Sequence, residues 1–227
     1  MAKSRSRSTS DSGHDWLTLL GIKDPGTDEW ARVRAEQVNL VQGFALVRLA
    51  VSIMAGCVVV ATLGPTASPP VLLGWFAGVV TVSWLLAWPH IRSSRSFAVT
   101  ATRMELHRET LSLVAAALCW TALPITLGID GGRAQVLTVW SVATAMMGCA
   151  AFALSAVPAA TACFLITVGL GLAYMMYSLA MPLIAITAVA YSVALTAACL
   201  VNGRTIILHK LNQLVLREKT EVVSLLL

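Results

Sequence analysis

Apolar runs of nearly bilayer-spanning length recur along this chain, at 44–63, 71–89, 110–128, 134–153, 160–178 and 181–201. A helix needs ~20 apolar residues to cross the hydrocarbon core. The pattern therefore predicts an all-α membrane protein, a six-transmembrane-helix bundle. The last four runs lie close together, so counts of five or seven spans stay open. The polar flanks complete the division: 1–42 as a cytoplasmic N-terminal tail, 43–201 as the transmembrane domain and 202–227 as a cytoplasmic linker helix.

Within the tail, 1–13 is a Ser/Arg/Lys-rich leader of the composition that stays disordered. Trp16, Leu17, Leu19, Leu20 and Ile22 form a short amphipathic stretch that Asp24-Pro25-Gly26 breaks. Thr27 then has the character of an N-cap, with Asp28 and Glu29 in the first turn where the helix dipole favours anions. The amphipathic helix that follows carries Trp30, Val33, Val38 and Val41 among charges. It either lies on a membrane or partner surface or is a solvated extension of the first span; Trp30 favours the surface.

The linker has its own period. Leu208, Leu211, Val215, Val222 and Leu225 follow alternating steps of three and four, with Glu218 the one polar intrusion. That spacing makes a coiled-coil seam between helices and predicts a homodimer. No Gly or Pro closes the helix and its end is apolar, so the expectation is that it carries an output domain. Glu218 weakens one packing of the seam and brings alternatives close in energy, as a switch requires.

Composition excludes more than it assigns. With 57% hydrophobic and 12% charged residues, the chain is far from the ~25% charged of a soluble domain, and little is left over for an extramembrane enzyme. The net charge of +5 could suggest nucleic acid, but its distribution argues for topology instead. Basic residues gather before the first run (Lys23, Arg32, Arg34), between the second and third (Arg92, Arg95, Arg103, Arg108) and after the sixth (Arg204, Lys210, Arg217, Lys219). The opposite side holds only Arg133. By the positive-inside rule both termini are cytoplasmic. The partner is the lipid bilayer, with no nucleic acid.

Candidate chemistry is sparse. The five cysteines all fall in the runs without metal-site spacing, which makes them packing residues and leaves no metal site. Arg48 is the one ionisable residue well inside a run, close enough to its end to snorkel to the headgroups or else to stay buried as a functional cation. Snorkelling is the expected outcome, and no carboxylate is expected in any core. His90 and His107 sit at the inner ends of neighbouring spans. They are the candidates for a paired-imidazole cofactor site, against the plainer reading of interfacial histidines; no cofactor is predicted.

No phosphate-cradling glycine loop, nucleophile elbow or zincin helix occurs, so no catalytic residue is assigned. Gly74 and Gly78 have the spacing that lets helices approach closely, and packing within the chain is expected there over a dimer interface. Trp75, Trp88 and Trp140 are placed as interfacial anchors, and Trp84 and Trp120 as bundle residues. Met146, Met147, Met175 and Met176 either line a cavity for a small apolar or redox ligand or, more simply, pack the core.

The junction Glu218-Lys219-Thr220-Glu221-Val222-Val223-Ser224-Leu225-Leu226-Leu227 resembles a stretch of bacterial membrane-anchored signalling proteins. In these a multi-span N-terminal region is joined to PAS, GGDEF and EAL domains of cyclic-di-GMP turnover, and related regions precede histidine kinases. Thr27-Asp28-Glu29-Trp30-Ala31-Arg32-Val33-Arg34 is similar to the start of such regions. The resemblance covers the two flanks and the layout between them. It implies a sensory input module in a bacterial inner membrane whose full-length protein is a diguanylate cyclase or phosphodiesterase. The alternatives are the input of a sensor histidine kinase, a stand-alone small transporter or membrane subunit, and a passive anchor.

Overall fold

The computed structural model describes residues 28–93, 100–127 and 132–226, and everything described is helix or short connection. The helices are α1 (Asp28–Gly43), α2 (Ala45–Leu63), α3 (Pro69–Ser93), α4 (Arg103–Leu127), α5 (Arg133–Ala153), α6 (Pro158–Ser178) and α7 (Pro182–Leu226). Thr27 and the amphipathic stretch before it lie outside the described residues.

Local signals set the boundaries. Pro69, Pro158 and Pro182 each stand first in a helix, where the missing N–H costs nothing and the fixed φ suits the first turn. A capping box starts α4: the Thr102 N–H donates to Glu105 Oε2 at 2.7 Å, and the Glu105 N–H to Thr102 Oγ1 at 3.4 Å. Phe44 alone separates α1 from α2. At the end of α6, Ala180 adopts φ 56°, and the Ala180 and Met181 N–H groups donate to Tyr177 O and Met176 O. This is a Schellman motif with alanine in the left-handed position that glycine usually takes.

Five of the described helices are long and apolar enough to cross a membrane: α2, the 69–88 part of α3, α5, α6 and the 182–213 part of α7. The chain is thus a multi-pass membrane protein. The helix on the third predicted run, α4, is not among those five of the described residues; Arg103, Glu105, Arg108 and Glu109 occupy its first two turns, and a run without charged residues follows from Thr110. It still runs between the same two ends of the bundle. At one end Ala101 N–H donates to Ala31 O and Arg34 Nε to Ala101 O, at 3.0 and 3.1 Å, tying the start of α4 to α1. Further along, Trp75 Nε1 near the start of α3 donates to Cys119 O at 2.9 Å. The far end is joined by Gln135 Nε2 donating to Thr62 O at 3.2 Å.

The main core sits around α6, flanked by α4, α5 and α7, with Leu113, Met147, Leu165, Leu172, Met175 and Met176 almost wholly buried. Lipid is as apolar as these side chains, so close backbone approach has to hold the helices together. Two glycines of α6 provide it. A Cβ at Gly169 would lie 2.5 Å from Ser192 on α7, and one at Gly171 would overlap Thr121 on α4. Buried hydroxyls bond backbone carbonyls: Ser192 Oγ donates to Leu165 O across the α6–α7 contact at 2.8 Å, and Thr121 Oγ1 to Ala117 O within α4 at 3.1 Å.

A second cluster joins α2 and α3 to the rest through Val59, Leu63, Leu72, Val79, Trp120 and Val139. Here two tryptophan placements are corrected. Trp75 turns inward, edge-on to Trp120 with ring centroids 5.4 Å apart, whereas Trp84 is half exposed beside Trp88. Trp120 is buried in the bundle, as expected.

Candidate functional site

Helix α1 builds the first feature. Its apolar positions do not face a membrane or solvent; they dock on the rest of the chain. Trp30 and Val33 bury against Ile207 of α7, with Leu211 partly packed on them, and Ala35 and Val38 bury against Ala101. Gln37 Nε2 donates to Ala156 O in the α5–α6 turn at 2.8 Å, a buried bond. On the other side of that turn, a Cβ at Gly203 would lie 2.6 Å from Ser155 O, so α7 passes flush against it. Lys210 and Glu36 pair at 3.3 Å with both side chains partly exposed, worth under about 1 kcal/mol. The apolar contact outweighs it. Two elements, α1 and the α5–α6 turn, therefore clasp α7 around residues 203–211.

Helix α7 continues unbroken through this clasp to Leu226. At 1.5 Å per residue it is about 67 Å long, more than twice the ~30 Å hydrocarbon thickness. Of the expected seam, Leu208 is half-buried and Leu211 is partly engaged with α1. The side chains of Val215, Glu218, Val222 and Leu225 lie outside the described residues, although the helix backbone runs through them.

Two other expectations change. Gly74 and Gly78 face outward, and a Cβ at either would meet nothing within 4 Å. Among the described residues the pair therefore packs no other helix, and the intramolecular role expected for it is corrected. His107 is exposed and accepts a hydrogen bond from Arg103 Nε at 3.0 Å, while the His90 side chain lies outside the described residues. No group of three metal-ligating side chains occurs among the described residues. All five cysteines are free thiols; Cys199 is buried, whereas Cys57, Cys149 and Cys163 face outward and so do not pack the core as expected.

The second feature is a cavity of about 90 Å3 between α2, α3, α4, α5 and α6. Its walls include Val51, Leu86, Leu113, Ala116, Trp120, Met146, Ala150 and Phe164; Arg48, Ser52 and Ser83 are its polar-side-chain members. Phe44, Val47 and Cys149 line it and are exposed, which places its mouth on the lateral surface between α2 and α5. Arg48 does not snorkel. Its Nη1 and Nη2 are buried and make no hydrogen bond, and the charge that bears on it is Glu109.

Glu109 is the residue that sequence reasoning missed. It is 8% exposed, inside the bundle, where no carboxylate was expected. A signal existed: Leu106, Glu109, Leu113, Ala117 and Trp120 fall on one helical stripe, and all five are buried. Met146 lines the cavity, and Met147, Met175 and Met176 pack the core.

No family model, no curated protein and no solved structure matches this chain.

Proposed function

We propose that this chain is the membrane input module of a bacterial signalling protein, which passes a change in the bundle along α7 to an output domain beyond it. The observation that carries this reading is the continuity of α7. One helix packs against α6 in the bundle, passes through the clasp at 203–211 and extends through the heptad-spaced positions. A displacement of α7 against α6 must then move or rotate everything after Gly203, since helix interiors bend little without Pro, Gly pairs or bulges.

In this reading α4 also spans, third in chain order, which brings the count to six, with its charged first turns at the cytoplasmic surface beside α1. Both termini are cytoplasmic, in keeping with the basic residues on that side. The seam runs through Leu208, Leu211, Val215, Val222 and Leu225; Leu211 is shared with α1 in the clasp, and the positions beyond it pair two copies, their packing setting the spacing of two output domains. The resemblance at the flanks favours cyclic-di-GMP synthesis or breakdown as the output, with a histidine kinase as the alternative. A stand-alone carrier is a second reading, favoured by one observation: Arg48 and Glu109 place two charges within the bundle.

The test joins the chain after Leu226 to a diguanylate cyclase domain. Val215→Asp with Val222→Asp should lower cyclase rate by about tenfold or more, two buried charges costing well over 1.4 kcal/mol in a seam. Light scattering should show the dimer become a monomer. Unchanged rate and mass would remove the signalling reading, and saturable solute flux through proteoliposomes of the unfused chain would put the carrier in its place.

A further inference from the structure

We infer that the cavity between α2 and α5 binds a monoanionic amphiphile, a single carboxylate or phosphodiester head on an acyl chain, with the head on Arg48. The assignment stands on the cavity alone and does not depend on α7 acting as a transmitter.

The head follows from Arg48. A guanidinium presents five donors in a planar fork suited to carboxylate and phosphate oxygens. Both terminal nitrogens are buried and unbonded, within walls whose other polar side chains are Ser52 and Ser83. Burying such a cation without hydrogen bonds is costly. Water answers the need poorly, because an ordered internal water itself needs two to four polar partners. An anionic oxygen pair matches the fork directly.

The charge follows from Glu109. This carboxylate already acts on Arg48 and does not line the cavity. Arg48 and Glu109 already cancel, so a monoanion takes the group to a net −1 and a dianion such as a phosphate monoester to −2; a single charge meets the unbonded donors of Arg48 with the smaller repulsion from Glu109. The acyl chain follows from size and outlet. About 90 Å3 is smaller than the ~150 Å3 apolar cavity that takes benzene, which excludes a bulky ring as the occupant. It holds a head and the first few methylenes. The rest of a chain leaves between Phe44, Val47 and Cys149, directly into the lipid-facing surface.

The experiment uses the full chain in phosphatidylcholine nanodiscs with radiolabelled oleate and, in parallel, methyl oleate, which keeps the chain and loses the charge. Oleate should bind saturably at one site per chain, and methyl oleate at least about tenfold more weakly, as for loss of a charged hydrogen-bond partner. Arg48→Gln should bring oleate down to the methyl ester's level, and Ala116→Phe, which fills the cavity, should weaken both ligands. Competition by short-chain phosphatidylglycerol then assigns the head: displacement of oleate marks a lipid phosphate, and no displacement marks a free carboxylate. Methyl oleate binding as tightly as oleate would overturn the proposal, and this holds even if a variant fails to fold. Equal oleate binding by wild type and a folded Arg48→Gln would overturn it too.

Discussion

The two halves of the bundle are built on different principles. Around α6, the bare backbone of Gly169 and Gly171 receives the short side chains of Ser192 and Thr121, and the methionines and leucines between are almost wholly buried. Between α2, α3 and α5 side chains make the contact, with Val59, Leu72, Val79 and Val139 buried together and the Phe76 ring against Gly56, and beside them a cavity with a cation in its wall remains. Both halves have nearly the same apolar composition. The difference is where the small residues fall, which decides whether a helix pair transmits displacement rigidly or accommodates a guest. In the proposed function the tight half contains the transmitting helix and the open half contains the site where a ligand would bias it.

Small-residue positions give the sharpest way to break this comparison. Gly171→Leu should destabilise the bundle by about 3 kcal/mol, because the new side chain meets Thr121 in a contact with no slack. Gly78→Leu, on the outward face of α3, should stay within about 0.5 kcal/mol. Steric trapping in bicelles measures both, and equal effects would erase the distinction between the halves. A smaller effect probes the clasp. Gln37→Leu removes the buried bond to Ala156 O and strands that carbonyl, at about 1–3 kcal/mol. Amide exchange should rise in 203–211 before it rises in α6; simultaneous rise would mean that the clasp is not a separate unit. One substitution should instead be a gain. Ala180→Gly relieves the left-handed alanine and should stabilise by about 1 kcal/mol, with no change in ligand binding.

Much of the architecture is legible in the chain because it has a long-wavelength pattern. Apolar runs locate the helices, prolines mark their starts, and the three-and-four spacing of Leu208 to Leu225 lies on the one helix that outlasts the bundle. Which face of each span packs is far less legible. In a soluble helix the buried stripe contrasts with a polar face, but a span is apolar all round, so hydropathy does not separate lipid from neighbour. Gly74 and Gly78 therefore have the same sequence signature as Gly169, yet meet nothing among the described residues. Trp84 and Trp75 exchange roles for the same reason.

The candidate site was hidden by two further effects. Arg48 is near enough to a span end to snorkel, and only its neighbours determine that it turns inward. Glu109 sits beside an apparent loop, where burial shows only as a place on the Leu106–Trp120 stripe. The docking of Trp30 on Ile207 joins residues from opposite ends of the chain, a pairing that no local pattern encodes.

The central claim is that α7 acts as a rigid transmitter, and helical phase tests it most directly. In the cyclase fusion, one to four residues are inserted after Gln213, beyond the clasp, and cyclase rate is read for each. A transmitting helix predicts that the rate falls and recovers with a period of about 3.5 residues, the repeat of the seam, with the insertion nearest a full turn restoring most of the output. A rate indifferent to insertion length would show that the output does not read the phase of α7, and the account of this chain as an input module would fail.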